Sequence, residues 1–341
     1  MITTVWFCLV AIMIAGYVVL DGFDLGAGIV HLFVARTDVE RQQVIRSIGP
    51  VWDGNEVWLI AGGGTLYFAF PALYSSAFSG FYLALMVVLW LLILRGISIE
   101  LRSHVEGPIW RPFWDLIFGA SSALLALIFG AALGNVVRGV PLDSEGFFFL
   151  PLWNNFQPGK DAGIVDWYTL LIGLASFFAL TVHGCFWVVL RTAGDLQQRA
   201  RSLGSKAWWV VSAFTVLITV VSFYLQPHLK EQFSTHLWGY VFPLVALSGL
   251  SAMRFYGSHR RDMAAFLSSC LYLVGMLTSA AFGVFPYVLP SVSSQAGLTI
   301  FNASAAPYGL YIGLAWWIPG MLLAAFYSVF VYSHLPAKPT R

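Results

Sequence analysis

Four carboxylates lie within two strongly apolar stretches of the chain, and their spacing brings them together in pairs. Asp21 and Asp24 are three residues apart in LDGFDLGAG, and Asp53 and Glu56 are three apart in PVWDGNEVWLIAGGG. Residues three apart are neighbours on a helix surface. Acids inside membrane segments are costly, and they usually mark a pathway for ions or protons. The spacing therefore predicts two acidic helix faces that hold and pass protons.

Composition indicates that these stretches cross a membrane. Of the 341 residues, 59% are hydrophobic and only 10% are charged, whereas soluble domains carry about 25% charged residues. Mean hydropathy is +0.77. Apolar runs of about 20 residues predict an all-α integral membrane protein with a single domain, 1–341, and nine transmembrane helices. The predicted helices are approximately 5–34, 52–70, 74–99, 113–137, 167–191, 207–226, 237–256, 263–287 and 308–332.

The basic residues predict the orientation of these helices. With the N-terminus outside and the C-terminus inside, fifteen of the 18 Lys and Arg residues fall on the inner side. Only Arg138, Lys160 and Lys230 fall outside, which follows the positive-inside rule. This split supports counting 52–70 as a span despite its acids. Residues 1–5 lack the basic start of a secretory signal, so we expect the first apolar run to stay as a helix.

An antiparallel pair formed by the first two helices orders the acids by depth. Asp53 lies near the inner membrane surface, and Glu56 lies about one turn deeper, level with Asp24. Asp21 is nearest the middle of the membrane. This order predicts a proton entry path that faces the cytoplasm.

Two simpler interpretations of the acids remain open. Asp53 can stabilise the start of its helix, where free N–H groups and the positive end of the helix dipole meet an acid. Asp24 can pair with a buried arginine in this or another subunit, and Arg95 and Arg102 at the inner end of the third helix are within reach.

Glycines in the first two helices predict close contact between helix backbones. The first helix carries Gly22, Gly26 and Gly28, and the second carries Gly62, Gly63 and Gly64.

Other chemistries have little support in the sequence. Cys8, Cys185 and Cys270 are isolated in apolar runs, so neither a disulfide framework nor a metal site is indicated. His183 is interpreted as a hydrogen-bonded core histidine, with haem ligation as the alternative. The basic residues are scattered, which disfavours nucleic-acid binding.

Six motifs resemble subunit II of the cytochrome bd-type quinol oxidases. They are LDGFDLGAG (20–28), IGPVWDGNEVWLIAGGG (48–64), FAFPALYSSAFSGFYLAL (68–85), RGISIELR (95–102), GNVVRGVPLD (134–143) and FPYVLPS (285–291). The resemblance implies two four-helix bundles plus one extra helix. It also implies a bacterial cytoplasmic membrane complex that oxidises quinol and reduces O₂ to water.

The same resemblance implies which groups this chain contributes. Subunit I would carry two b-type haems and one d-type haem, and this chain would bind none; a structural quinone or lipid and a small single-helix accessory subunit are compatible with it. The implied proton path toward the haems comprises Asp21, Asp24, Asp53 and Glu56. Glu56 is a helper, because some members of the family have Gln there. The implied supporting residues are Trp52, Asn55, Arg95, Glu100 and Arg102.

Two rival functions remain. A secondary transporter would use intramembrane acids to couple cation movement, but such proteins tend to have polar sites in both halves, and here the acids cluster in the first third. A structural scaffold would use the acids only for capping and pairing.

Overall fold

The computed structural model describes residues 1–293 and 297–335, which form twelve α-helices, one 3₁₀ turn and a short antiparallel hairpin. The helices are α1 (Ile2–Val34), α2 (Asp38–Ile48), α3 (Trp52–Ala69), α4 (Pro71–Gly80), α5 (Tyr82–Leu101), α6 (Trp110–Arg138), α7 (Trp167–Arg191), α8 (Gly194–Leu225), α9 (Pro227–Thr235), α10 (Val241–Ser258), α11 (Asp262–Val284) and α12 (Pro307–Ser333). The 3₁₀ turn is Leu237–Tyr240, and the strands are β1 (Tyr287–Leu289) and β2 (Leu298–Thr299). The all-helical prediction is confirmed, with the hairpin as a small addition. Lys338 and Arg341, which contributed to the basic residues counted on the inner side, lie outside the described residues.

Seven of the described helices are long and apolar enough to cross a membrane: α1, α5, α6, α7, α8, α11 and α12. The count rises to eight if α9 and residues 237–258, which meet at a bend of 107°, form one broken span. α3 does not qualify by composition, because the acids and glycines of WDGNEVWLIAGGG lower its hydropathy. The chain is therefore a multi-pass membrane protein, and the prediction of nine spans is not confirmed by helix length and composition.

Four predicted spans differ from the observed helices. The predicted helix 237–256 begins with the 3₁₀ turn before α10, and the predicted helix 263–287 ends at Val284, before β1. The predicted helix 74–99 is divided into α4 and α5, with Phe81 between them. The ring of Phe148 packs so closely on Gly80 that a Cβ there would come within 2.2 Å of it. α8 begins at Gly194, well before the predicted start at 207, because its first turns are polar and were not part of an apolar run.

α2 was not predicted, because a search for apolar runs of about 20 residues overlooks an 11-residue amphipathic helix. The Thr37 side chain accepts a hydrogen bond from the Glu40 N–H, and Glu40 reaches back to the Thr37 N–H. This capping box fixes the start of the helix. Val44, Ile45 and Ile48 form its buried face.

α1 lies at the centre of the helix packing and contacts α3, α6, α7 and α11. Its closest approach is to α7, where a Cβ on Gly26 would lie 2.1 Å from the Leu180 carbonyl oxygen. A Cβ on Gly184 of α7 would lie 2.2 Å from the Gly26 carbonyl carbon. Only glycine permits this contact, so the predicted role of the glycines in the first helix is confirmed.

The prediction was wrong for the glycines of α3 within this chain. A Cβ on Gly63 or Gly64 would meet no described atom within 4 Å, and one on Gly62 would make only an ordinary contact with Met13 at 3.8 Å. Gly63 and Gly64 therefore do not serve a close backbone contact with another described helix.

Candidate functional site

A buried ion cluster joins α1, α3 and α5. Arg95 donates two parallel hydrogen bonds to Asp21, from Nη1 to Oδ2 at 2.9 Å and from Nη2 to Oδ1 at 2.7 Å. Arg95 Nη2 also donates to Glu56 Oε2 at 3.1 Å. The Arg95 and Asp21 side chains are 0% exposed, and that of Glu56 is 22% exposed. Glu56 therefore connects a fully buried ion pair to the surface.

Asp24 lies beside this ion pair but has a neutral partner. Asn55 Nδ2 donates to Asp24 Oδ2 at 2.7 Å and to the Leu20 carbonyl at 3.1 Å. Asn55 Oδ1 accepts a hydrogen bond from the Tyr332 hydroxyl at 2.7 Å. Asp24 Oδ1 is buried and has no hydrogen-bond partner among the described residues. Together with Tyr17, which is described next, these residues form what we call the acid cluster: Tyr17, Asp21, Asp24, Asn55, Glu56, Arg95 and Tyr332.

Tyr17 lies one helical turn from Asp21 on α1, toward the predicted outer side. It interacts electrostatically with Asp21, Arg95 and Glu56. Its hydroxyl is buried and lacks hydrogen-bond geometry to any described residue. Asp21 is close enough to interact with this hydroxyl, so the acid cluster ends in a buried polar group that faces Asp21.

The charges in the acid cluster do not balance. It contains three carboxylates and one guanidinium, and Asp24 interacts with Asp21, Arg95 and Glu56. An unpaired negative charge in a layer of low dielectric is costly, and such a group can instead take up a proton. The cluster is therefore chemically suited to hold an exchangeable proton.

Asp53 and Trp52 lie at the start of α3. Asp53 is exposed, in the first turn of the helix, and Trp52 packs its ring edge near Gly96, where a Cβ would be 3.4 Å away. The N-cap residue Val51 has no side-chain hydrogen bond to the helix start. Asp53 therefore meets the positive end of the helix dipole, while it also lies one turn from Glu56 at the surface.

The contacts of these residues bear on one alternative and exclude one residue from the cluster. Glu56 contacts Asp21 through Arg95, and its expected depth, level with Asp24, stays a prediction. Arg95 pairs with Asp21 and Glu56, so the alternative in which Asp24 pairs with an arginine of this chain is not found among the described residues. Glu100 is exposed and does not join the acid cluster.

Arg102 belongs to a second cluster, at the predicted inner ends of α2, α5 and α6. Its Nε donates to Asp115 Oδ1 at 2.6 Å, and its Nη2 donates to Asp38 Oδ1 at 2.6 Å. Arg41 donates to Asp115 Oδ2 at 3.0 Å, and Arg111 donates to Asp38 Oδ2 at 2.7 Å. Arg111 also donates to Glu106, and His31 lies 3.5 Å from Asp115. We call these seven residues the arginine cluster: His31, Asp38, Arg41, Arg102, Glu106, Arg111 and Asp115. Its three arginines and three carboxylates balance.

A partly buried ion pair connects α2, which carries part of the arginine cluster, to α8. Arg199 binds Glu40, and the Arg36 N–H donates to Glu40 Oε2 at 2.7 Å. Partial burial acts to raise the pKa of Glu40, but the hydrogen bonds from the Arg36 N–H, the Arg199 guanidinium and the Thr37 N–H outweigh it. The pKa of Glu40 therefore lies below its ordinary value.

His183 uses both ring nitrogens in hydrogen bonds inside the core. Nε2 faces the Val19 carbonyl at 3.0 Å, and Nδ1 lies within hydrogen-bond distance of the Ser269 hydroxyl at 2.7 Å. The ring stacks on Phe266. Neither nitrogen is left for a metal, which fits the interpretation as a core histidine. The described part of the chain contains no group of three His, Cys, Asp or Glu side chains placed to hold a metal ion.

Sequence reasoning missed Tyr17, Asp115 and Tyr332. Asp115 follows Arg111 near the start of an apolar helix, so the same rule that identified the other acids applies to it. Tyr17 lies one turn from Asp21, a spacing that the sequence displays. Tyr332 is 277 residues from Asn55 in the chain, and no local pattern connects the two.

The fold and these clusters define a multi-pass helical membrane protein with an acid-rich polar centre between its first helices. The family model for cytochrome bd terminal oxidase subunit II matches residues 2–335. The chain therefore belongs to the cytochrome bd terminal oxidase subunit II family, whose members are parts of a quinol:O₂ oxidoreductase.

Individual relatives agree with this assignment. The chain is 31% identical to cytochrome bd-I ubiquinol oxidase subunit 2 of Escherichia coli K12, over 94% of this chain and 89% of the relative. It is 30% identical to cytochrome bd ubiquinol oxidase subunit 2 of Bacillus subtilis, over 90% of this chain and 88% of the relative. A chain in the structure of bd oxidase from Geobacillus thermodenitrificans has the same fold, with a TM-score of 0.75 and 16% identity over 98% of both chains.

Proposed function

We propose that this chain is subunit II of a bd-type terminal quinol oxidase in a bacterial cytoplasmic membrane. It forms a heterodimer with subunit I and conducts protons from the cytoplasm toward the site of O₂ reduction. In this arrangement the N-terminus is outside, and α3 and α10 complete a set of nine spans in two four-helix bundles plus α12. The observation that carries the proposal is the buried excess of carboxylates, with Glu56 and Asp53 leading from it to the surface.

The haems of subunit I, two of the b type and one of the d type, would oxidise quinol and reduce O₂ to water. The residues of this chain move protons. Asp53 collects a proton at the surface, and Glu56 passes it to the buried carboxylates. Arg95 holds Asp21 in a fixed orientation through two parallel hydrogen bonds, while Asp24 has no cation and can take the proton at its open Oδ1. Tyr17 then offers a hydroxyl one turn farther into the membrane.

A groove on the lipid side offers space for a quinone or lipid tail. It has a volume of about 740 Å³ between α1, α3 and α12, and aromatic rings dominate its lining. Trp6, Phe68, Tyr308, Trp316 and Trp317 contribute these rings. Flat apolar rings with few charges suit an isoprenoid or acyl chain.

Two alternatives are less well supported. A secondary transporter would have comparable polar sites in both halves, but α7 to α12 contribute only the Tyr332 hydroxyl to the acid cluster. A scaffold role would need every buried acid to be paired with a cation, and Asp24 has none within the described chain.

Replacing Asp24 by Asn in the assembled oxidase tests the proposal. Asn has nearly the same shape as Asp and cannot carry the proton, so quinol-driven O₂ uptake should fall at least tenfold, as is typical when a proton-transfer group is removed. The haem spectrum of the purified complex should stay unchanged. Asp161→Asn, in an exposed loop, is the matched control and should leave O₂ uptake intact. Full activity in Asp24→Asn would remove Asp24 from the path.

A further inference from the structure

The Asn55 amide group is held from both ends. Its two N–H groups face the Leu20 carbonyl and Asp24 Oδ2, and its oxygen faces the Tyr332 hydroxyl. An amide turned by 180° would place its oxygen against two acceptors and its N–H groups against the Tyr332 hydroxyl. Tyr332 therefore completes the only orientation of Asn55 in which all three contacts are satisfied.

Tyr332 comes from the most peripheral helix of the chain. Most side chains of α12 are exposed, and its buried residue is Leu310 at the opposite end. Two further hydrogen bonds fasten α12 to the bundle, from Trp6 to the Leu310 carbonyl at 3.2 Å and from Trp317 to Thr65 at 3.3 Å. The bond of Tyr332 to Asn55 is shorter and lies at the end of α12 that is nearest the acid cluster.

The two oxygens of Asp24 have different surroundings. Oδ2 receives the Asn55 N–H, whereas Oδ1 is buried and has no partner in the described chain. A proton arriving at Asp24 would displace a hydrogen bond at Oδ2 but none at Oδ1. The oxygen that Asn55 leaves open is therefore the one at which proton exchange costs least.

We infer that Tyr332 is a positioning residue for proton transfer: through Asn55 it fixes Asp24 Oδ2 and leaves Oδ1 as the oxygen that accepts and releases the proton. This inference rests on the proposed function of the acid cluster as a proton path. It makes the C-terminal helix α12 part of that path, although α12 contributes no charge to it.

The test uses Tyr332→Phe in the complete oxidase, with Tyr327→Phe as a matched control on the same helix. Tyr327 is 63% exposed, so removing its hydroxyl should change nothing. In Tyr332→Phe we expect maximal O₂ uptake to fall about fivefold, the effect of one net hydrogen bond. The KM for quinol and the haem content should stay constant. The solvent deuterium isotope effect on turnover should increase, because proton transfer becomes more limiting.

Infrared difference spectra supply a readout that does not depend on turnover. The carbonyl band of protonated Asp24 is the one that disappears in Asp24→Asn. In Tyr332→Phe this band should move in frequency, because Asn55 no longer holds Oδ2 in place, and in Tyr327→Phe it should not. Asn55→Leu combined with Tyr332→Phe should be no worse than Asn55→Leu alone, since both act through one contact.

The outcomes separate the inference from the proposed function. If Asp24→Asn blocks turnover but Tyr332→Phe changes neither turnover nor the Asp24 band, the proton path stands and the positioning role is overturned. If Asp24→Asn is fully active, Asp24 is not on the path and the positioning role of Tyr332 is overturned with it. If Tyr332→Phe loses its haem content while Tyr327→Phe keeps it, Tyr332 holds the helix and does not position the acid.

Discussion

The acid cluster and the arginine cluster both contain carboxylates and guanidinium groups, but they differ in their charge balance. The arginine cluster sets three arginines against three carboxylates and lies at the helix ends. The acid cluster sets one arginine against three carboxylates. Guanidinium groups keep their protons in proteins, so carboxylates that are all paired with arginines do not need to take up protons. In a cluster with an excess of carboxylates, a carboxylate without a cation can take up and release a proton.

The comparison indicates that burial alone does not make a carboxylate suited to carry a proton. Asp115 and Asp21 are equally buried, at 1% and 0% exposure, and both bind guanidinium groups in short, charge-assisted bonds. Asp24 differs from both because its partner is an amide. The partner, rather than the burial, separates a structural carboxylate from one that is suited to carry a proton.

The largest expected effect comes from removing a charge from the arginine cluster. Asp115→Asn leaves Arg41 and Arg102 without their shared carboxylate, and breaking a buried pair in this way costs about 3–5 kcal/mol. We expect a lower melting temperature and a poor yield of the complex in detergent. Asp24→Asn strands no cation, so its melting temperature should match that of the unmodified protein. Equal losses of stability in the two variants would end the distinction between the clusters.

The second prediction separates the fork geometry of Arg95 from its charge. Lys keeps the charge but cannot make two parallel bonds to Asp21. In Arg95→Lys, Asp21 should lose its fixed orientation, and O₂ uptake should fall about tenfold, the equivalent of about 1.4 kcal/mol. Arg111→Lys is the control, because Arg111 is partly exposed and binds each of its acids through a single nitrogen. Similar activity in the two variants would argue against a requirement for the fork.

The acidic helix faces could be predicted from the sequence, whereas the pairing between helices could not. Spacing of three residues assigned Asp21 and Asp24 to one face of α1. Arg95 pairs with Asp21 and not with Asp24 because of the way α5 is rotated about its axis. No local sequence pattern predicts this rotation. The contribution of Tyr332 depends on where the last helix docks. Hydropathy also divides the chain only into apolar runs, and so it missed α2 and the break at Phe81.

The third prediction concerns Glu56, the link between the acid cluster and the surface. Glu56→Gln keeps a hydrogen-bond acceptor for Arg95 and leaves the two bonds of Arg95 to Asp21 intact. Stability should therefore be unchanged, while O₂ uptake should fall only about two- to fivefold, a smaller loss than removing a principal proton-transfer group. Activity measured at saturating quinol, with haem content as the measure of assembly, checks this. A loss as large as that of Asp24→Asn would make Glu56 an obligatory carrier.

The smallest expected effect concerns the ion pair between Glu40 and Arg199, outside the membrane-spanning segments. The pKa of Glu40 lies below its ordinary value because hydrogen bonds from Arg36, Arg199 and Thr37 outweigh its partial burial. A lowered pKa in the folded state contributes stability above the pKa of the unfolded chain, about 4.3 for Glu. That contribution is lost as the pH falls through the folded value.

Glu40→Gln should therefore lower stability by about 1 kcal/mol at pH 7, the size of a helix-capping contribution. The difference from the unmodified protein should shrink as the pH falls below about 4.3. Melting temperatures of the purified complex at several pH values measure this difference. A Glu40→Gln deficit that stayed constant down to acid pH would show that the side chain acts through packing. In that case, charge pairing would explain the behaviour of carboxylates only inside the membrane, where water does not solvate them.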